Sequence, residues 1–405
     1  MCPTVSRSLA HTNRIAYLIV LAGIGAALHI WKLPPALPAL QQQLGLSLVE
    51  SGFLLSIVQI GGMSLGLIVG LVAQKIGLRR CILIGLGLIA SASGVGAFVD
   101  SKEALMALRG LEGAGFLMVV MPAPALIRQF VPPERLSSLM GLWGCYIPLA
   151  TIVALLGGSW LLSMADWRLL WGVLTLVTFA LFLLVWVLVP SDSQQVVAKQ
   201  KRERIRRVSA WQLVKTTLSA EGVWLSAGIF GLYAGQWIAV IGFLPTIYML
   251  GGISGTTAGV LTAIVAGANA IGTFAAGYLL HRGARVPTLI IIGLIAMILT
   301  AFAAFALNLP VFWRFFAIFV FSTLGGLIPT SLFVVVMQLA PSQQTVPTSL
   351  GWMQQISALG QFLGPPLIAW VATLVGGWQA TWVATGLCAI LAILLALRMR
   401  YKFKL

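Results

Sequence analysis

The sequence predicts an all-α membrane protein of about twelve transmembrane helices in two pseudo-symmetric six-helix bundles. Three observations predict it: a composition too apolar for water, basic loops confined to one side, and an internal repeat that halves the chain. Of 405 residues, 60% are hydrophobic and only 8% are charged, against roughly 25% charged in an ordinary soluble domain. So few charges could not cover a water-soluble surface. A dozen spans of roughly 25 residues would consume roughly 300 residues. What remains suffices for short loops, two tails and one longer linker.

The apolar runs set the elements in order. The first helix is expected from Ile15 to Gln43, with prolines 34, 35 and 38 in its outer end, and is read as an uncleaved span and not a signal peptide. Helix 2 is expected over Val49–Ala73, helix 3 over Cys81–Val99 and helix 4 over Glu103–Phe130. Helix 5 follows over Arg135–Ser163 and helix 6 over Trp167–Val189. Composition then shifts. Residues 191–220 are polar and carry Lys199, Lys201, Arg202, Arg204, Arg206, Arg207 and Lys215, a basic linker that could lie as an amphipathic helix on the membrane surface. The second set runs Val223–Leu250, Thr256–Leu280, Val286–Leu307, Val311–Leu339, Pro347–Val375 and Trp378–Leu397. The expected domains are therefore an N-terminal bundle over 1–190, the linker over 191–220, and a C-terminal bundle with a basic tail over 221–405.

The formal net charge of +16 could suggest a nucleic-acid binder, but the cations sit in short loops between apolar runs. Lys75, Arg79, Arg80, Arg128, Arg135, the linker, Arg282, Arg285 and both tails fall on one side; Lys102 and Arg168, beside Asp100, Glu103 and Asp166, fall on the other. The positive-inside rule then puts both termini in the cytoplasm of a bacterial-type inner membrane and demands an even helix count. No nucleic-acid partner is expected.

The repeat is the strongest organisational signal. Pro38 and Pro245, Gly52 and Gly259, Gly70 and Gly277, Gly144 and Gly351, and Gly157 and Gly364 share one common offset. Arg109 and Pro124 align with Arg314 and Pro329 after small length changes. Parallel six-helix repeats build one large group of secondary transporters.

With these motifs in view the chain resembles the major facilitator superfamily along nearly its whole length. The loop after helix 2 carries that family's glycine–basic signature as Gly70, Gln74, Lys75, Gly77, Arg79 and Arg80, with Gln74 where the family has Asp. A degenerate second copy reads Gly277, His281, Arg282, Gly283 and Arg285, and helix 4 matches the family's R-x-x-x-G pattern as Arg109, Glu112, Gly113 and Gly115. Helices 5 and 11 carry glycine–proline patterns, Gly144 to Pro148 and Gly360 to Pro365. Within the family, Met140–Trp143 and Phe243–Tyr248 are similar to the cyanate/nitroimidazole-type branch of small-anion carriers. The resemblance implies a secondary carrier, functional as a monomer, that rocks its two bundles about a midplane site lined by helices 1, 4, 7 and 10. It also implies that the loop motif acts as a cytoplasmic gate, weakened here because Gln74 carries no charge.

Ionisable groups within the membrane default to function because their burial is costly. The candidates are His29, Lys32, Arg109, Glu112 and Arg314. Three cations and one acid in a shared path would favour an anionic substrate. Two readings of Lys32 stand, a cavity-facing ligand and a side chain snorkelling to the interface. His29, one turn away, is a substrate donor, a proton carrier or a structural histidine. Arg109 and Glu112 share a helical face as a working ion pair or a static one, and Glu112 is the expected proton carrier. Arg314 could also snorkel outward. Tyr146, Tyr233, Gln236, Asn269, Trp352 and Gln355, with Gln59 and Trp237, fill out the candidate substrate pocket, each open to a plain packing role. Pro122, Pro124 and Pro329 should bend helices 4 and 10.

The same fold would also suit a drug or metabolite exporter, although such carriers usually place a carboxylate where Lys32 stands. An enzyme or a channel finds no support: there is no phosphate-binding G-x-x-x-x-G-K-[ST] run and no metal spacing among three distant histidines and four scattered cysteines. No cofactor and no metal is expected.

Overall fold

A computed structural model describes residues 3–64, 66, 76–191 and 209–404. The chain is helical nearly throughout. Among the described residues, eleven helices are long and apolar enough to cross a membrane, and a shorter apolar helix over Leu48–Ser64 stands at the position expected for helix 2. Gly70, Gln74, Lys75 and residues 192–208 of the linker lie outside the described residues.

Packing divides the chain into two compact units. One comprises Met1–Lys32 and Ile68–Arg207, the other Leu33–Leu67 and Val208–Leu405. The first contains α1 (Pro3–Trp31), α4 (Leu78–Gly96), α5 (Lys102–Val120), α6 (Ala123–Phe130), α7 (Pro133–Gly144), α8 (Tyr146–Met164) and α9 (Trp167–Leu188). The second contains α2 (Leu33–Leu44), α3 (Leu48–Ser56) and α10 (Ala210–Leu218), then α11 (Glu221–Leu250), α12 (Gly255–His281), α13 (Val286–Ala306), α14 (Val311–Gly325), α15 (Leu327–Leu339), α16 (Val346–Val375) and α17 (Thr381–Phe403).

Several expected spans are broken, and the breaks have one cause. The first span parts at Lys32, between α1 and α2, because Pro34 and Pro35 have no N–H to donate back into α1 and their rings crowd its last carbonyls. The fourth parts between α5 and α6 before Pro124, with Pro122 as the cap of α6. The fifth parts at Cys145, three residues before Pro148, and the tenth at Gly326, three before Pro329. The bends expected in helices 4 and 10 are both present.

In the first unit α4 lies against α5, α9 packs on α4, and α1 packs on α8 and α9. The α4–α5 crossing depends on two glycines. A Cβ on Gly115 would stand 2.7 Å from the Gly85 carbonyl oxygen, and one on Gly85 would stand 2.6 Å from the Gly115 carbonyl oxygen. The helices run antiparallel, so this approach brings Ser93 on α4 level with Arg109 and Glu112 on α5.

In the second unit the two 30-residue helices α11 and α16 cross at Gly231, Gly235, Gly360 and Gly364, where a Cβ on Gly235 would stand 2.6 Å from the Gly360 carbonyl oxygen. Helix α3, started by a Ser47–Glu50 capping box, lies along α16. Gln59 Nε2 donates to Gln361 Oε1 at 3.0 Å, and Gln355 Nε2 donates to the Met63 carbonyl at 2.7 Å. The tail of α17 returns to the start of α11, where Glu221 accepts from Arg398 at 2.9 Å and from Lys402.

Candidate functional site

Four of the five ionisable residues singled out within the membrane meet inside the first unit. Helix α1 carries His29 in its last turn and delivers Lys32 at the break that follows; α5 delivers Arg109 and Glu112 on one face, three residues apart. Lys32 and Arg109 are completely buried, and His29 and Glu112 are 1% exposed. Neither cation snorkels, and neither is turned to lipid or to open solvent.

Lys32 has three ammonium donors and each has an acceptor. Nζ donates to Glu112 Oε1 at 2.6 Å, to Ser93 Oγ at 2.9 Å and to His29 Nδ1 at 3.3 Å. It also stands 4.2 Å from the centre of the Trp171 ring, a cation–π contact inside the buried cluster. Because Nδ1 of His29 accepts from an ammonium, its Nε2 carries the proton and donates to Thr178 Oγ1 at 2.7 Å.

The other Glu112 oxygen accepts from Arg109 Nη1 at 2.5 Å, and the same nitrogen donates to the His29 carbonyl at 2.5 Å. That carbonyl lies in the last turn of α1, freed by the proline break. Two basic side chains thus share one acidic side chain. Arg109 Nε and Nη2 are buried without a hydrogen-bond partner, although buried polar atoms are normally satisfied. The cluster is electropositive and has donors to spare.

Ser93, Trp171 and Thr178 were not singled out from the sequence. Thr178 carried a usable signal, as a polar residue in the middle of the apolar run of α9; Ser93, in a helix of small residues, carried little.

The remaining candidates lie elsewhere. Tyr146 stacks on Trp143, with ring centres 4.5 Å apart. In the second unit Asn269 donates to Tyr233 Oη and to the Ser322 carbonyl, each at 2.9 Å, while Trp237 donates to Ser322 Oγ at 3.1 Å. Trp352 packs edge-on against Trp224 at 4.9 Å, and the Gln355 amide nitrogen is taken by Met63. Arg314 is half-buried on the first turn of α14, with its Nε buried and unpartnered. Gln236 is buried with neither amide atom bonded.

Of the gate motif, Gly77 turns the chain at φ +106, a conformation that favours glycine. Gly283 does the same at φ +89 in the second copy. Arg79 Nη2 donates to the Trp186 carbonyl at 2.5 Å, while Arg80 lies in the first turn of α4. His281 and Arg282 are exposed at the end of α12, with Arg282 over the Tyr278 ring at 4.7 Å.

The fold and sequence match known transporters. Over 97% of this chain and 98% of the other, the structure superposes with a TM-score of 0.76 on a bacterial homolog of the human lysosomal transporter Spinster, at 16% identity. It matches a D-xylose-proton symporter at TM-score 0.74 and 18% identity, over 96% of this chain and 97% of that one. In sequence, the chain is 26% identical to the cyanate transport protein CynX of Escherichia coli (strain K12), over 94% of this chain and 96% of that protein. It is 25% identical to NiaP of Bacillus subtilis (strain 168), described as a niacin/nicotinamide transporter, over 66% of this chain. That match spans 63% of the Bacillus protein, less than two thirds of its length. The Major Facilitator Superfamily model matches residues 16–346, and the chain therefore belongs to that superfamily, as an integral membrane transporter of the secondary kind and not an enzyme.

Proposed function

We propose that the protein carries a small organic or inorganic anion by alternating access, coupled to a proton taken up by Glu112. The observation that carries this reading is the cluster of two buried cations around one carboxylate, with Arg109 Nε and Nη2 unpartnered. A buried guanidinium with free donors is suited to a small oxyanion or similar group.

Charge balance supports the proton. An anion alone would have to displace Glu112 from Lys32 and Arg109 and leave two negative groups competing for the same donors. A proton arriving on Glu112 removes that competition. The carboxyl group then keeps one O–H donor and releases the ammonium and guanidinium. Together the proton and the anion add no net charge to a buried site, where uncompensated charge is expensive. Symport follows from this competition for the same cations. His29, bonded to Lys32 and Thr178, holds the ammonium in place and offers a second proton position.

The sequence similarity to a cyanate transport protein across nearly the whole of both chains supports an anionic substrate. The one-sided basic loops support an inner-membrane protein with both termini in the cytoplasm, working as a monomer. Purified protein in proteoliposomes tests the function. Radiolabelled cyanate, formate, acetate and benzoate should be offered with and without an inward proton gradient. At least one should accumulate, faster with the gradient, and Arg109→Gln should abolish that uptake. Failure of every anion, while a neutral sugar or a cationic dye is carried, would sink the proposal.

A further inference from the structure

Trp171 makes a contact with Lys32 for which neither a proton nor an anion competes. The centre of its ring lies 4.2 Å from Lys32 Nζ, and the side chain is completely buried. Its indole Nε1 has no hydrogen-bond partner, although a buried tryptophan usually finds one. The wall it lies against is the reason. A Cβ on Gly96 of α4 would stand 3.2 Å from Trp171 Cδ1 and 3.3 Å from Nε1, so the polar edge of the indole rests on a residue with no side chain to accept from it. A phenylalanine would avoid the orphaned N–H, but it would present a weaker π face to a cation. What the site gains from the indole is its face.

The ring is held in place. Trp167, one turn earlier on α9 and equally buried, meets it edge-on with ring centres 5.1 Å apart. Arg168 in turn covers Trp167 at 4.6 Å. Ser93 Oγ, which accepts from Lys32, donates to the Trp171 carbonyl at 3.4 Å. Helices α4 and α9 thus hold the Lys32 ammonium with one hydroxyl and one ring.

The partners of Lys32 differ in what happens to them when Glu112 takes up a proton. Glu112 then loses the charge that attracted the ammonium. Ser93 and His29 are neutral acceptors, and each occupies one N–H of Lys32. The π face attracts the cation through the ring quadrupole and has no proton to gain. We infer that Trp171 is a positioning residue for transport: its ring keeps the Lys32 ammonium in place while Glu112 is neutral, so that the cation released by the proton is at hand for the anion. This role rests on the proton-coupled anion reading of the same site, whereas the contact between ring and ammonium can be tested without any substrate.

The test replaces Trp171 in the full chain by mono-, di- and trifluorotryptophan, substituted on the benzo ring. Fluorine drains the π face stepwise and changes the shape little. In proteoliposomes the KM of the carried anion should rise with each fluorine, to about fivefold at the third. The same series at Trp382, which packs edge-on against Phe302, should leave KM unchanged. In detergent without substrate, trifluorination at Trp171 should lower the Tm about twice as far in Glu112→Gln as in the otherwise unaltered protein, because the ammonium then leans more on the ring. Lys32→Met should abolish the dependence on fluorine, and it decides the contact even if Glu112→Gln does not fold. A carried anion whose KM ignores the fluorines would overturn the role of Trp171 and leave the anion reading standing. A Tm that responds equally with and without Lys32 would overturn the contact. No anion uptake by the unaltered protein would remove the reading and the role together.

Discussion

Lys32 Nζ and Glu112 Oε1 lie 2.6 Å apart, brought together from α1 and α5 across eighty residues of sequence and sealed from solvent. The contact changes the role first expected of Lys32. All three of its donors are already used inside the first unit, so it is not a free ligand waiting for substrate. Arg109 has the free donors, and Lys32 becomes available only when Glu112 lets go.

Replacing Lys32 by Ala should abolish uptake while leaving membrane insertion intact. The variant should also be less stable, because Glu112 loses one partner and the Ser93 and His29 contacts vanish. Breaking a buried ion pair by removing one member costs about 3–5 kcal/mol. Thermal unfolding in detergent should show a clearly lower midpoint. Uptake that survives in Lys32→Ala would remove the residue from the transport cycle.

Glu112→Gln separates coupling from carriage. The neutral amide cannot take up a proton, and it no longer competes with an anion for Lys32 and Arg109. Counterflow of a bound anion between equal pools should continue, whereas accumulation driven by a proton gradient should disappear. Wild-type uptake should rise as external pH falls, and this variant should lose that slope. A variant with the full wild-type response to pH would exclude Glu112 as the proton carrier.

The seam between α4 and α5 sets the geometry that these variants probe. A side chain at Gly115 would meet the Gly85 carbonyl oxygen and Ile89 Cγ1, each at 2.7 Å. Gly115→Val should therefore push α4 away and take Ser93 from Lys32. Overpacking of this kind costs about 1–3 kcal/mol. The Tm should drop and uptake should fall, while Gly110→Ala on the same helix, where an added Cβ would meet nothing within 4 Å, should change neither. Equal effects from the two substitutions would mean that the seam is not a close contact.

Much of this was legible in the sequence, for reasons that can be named. Lys32, Arg109 and Glu112 stood out because ionisable side chains are rare in apolar runs, and three-residue spacings put His29 beside Lys32 and Arg109 beside Glu112. Pro122, Pro124 and Pro329 announced the interruptions of helices 4 and 10, whereas the first and fifth spans, expected to run unbroken, part at Lys32 and Cys145. Legibility ended where tertiary packing chooses partners. Ser93 and Thr178 look like any small polar residue in a span until the approach of Gly85 and Gly115 brings α4 level with α5. Gln236 and Tyr233 read as neighbours in one pocket, yet Tyr233 is bonded to Asn269 and Gln236 lines a groove beside α16 and α17. The Lys32 break had a second consequence that periodicity could not express: α2 and α3 pack with the helices of the C-terminal half.

Orientation is open to direct test, because the basic and acidic loops make opposite predictions. Asp100 is 86% exposed and pairs with Arg168, itself held by Asp166 at 2.7 Å and lying over the Trp167 ring. An exposed pair of this kind contributes little, about 0–1 kcal/mol, so a cysteine at position 100 should leave the fold unharmed. His281, at the end of α12 beside Arg282 and Arg285, is also exposed and falls in the basic set. With Cys2, Cys81, Cys145 and Cys388 changed to Ser, a membrane-impermeant maleimide should label Asp100→Cys in intact cells and leave His281→Cys unlabelled until the membrane is permeabilised. The reverse pattern would turn the protein over in the membrane. It would also put the basic loops on the side where cations near the membrane are normally depleted.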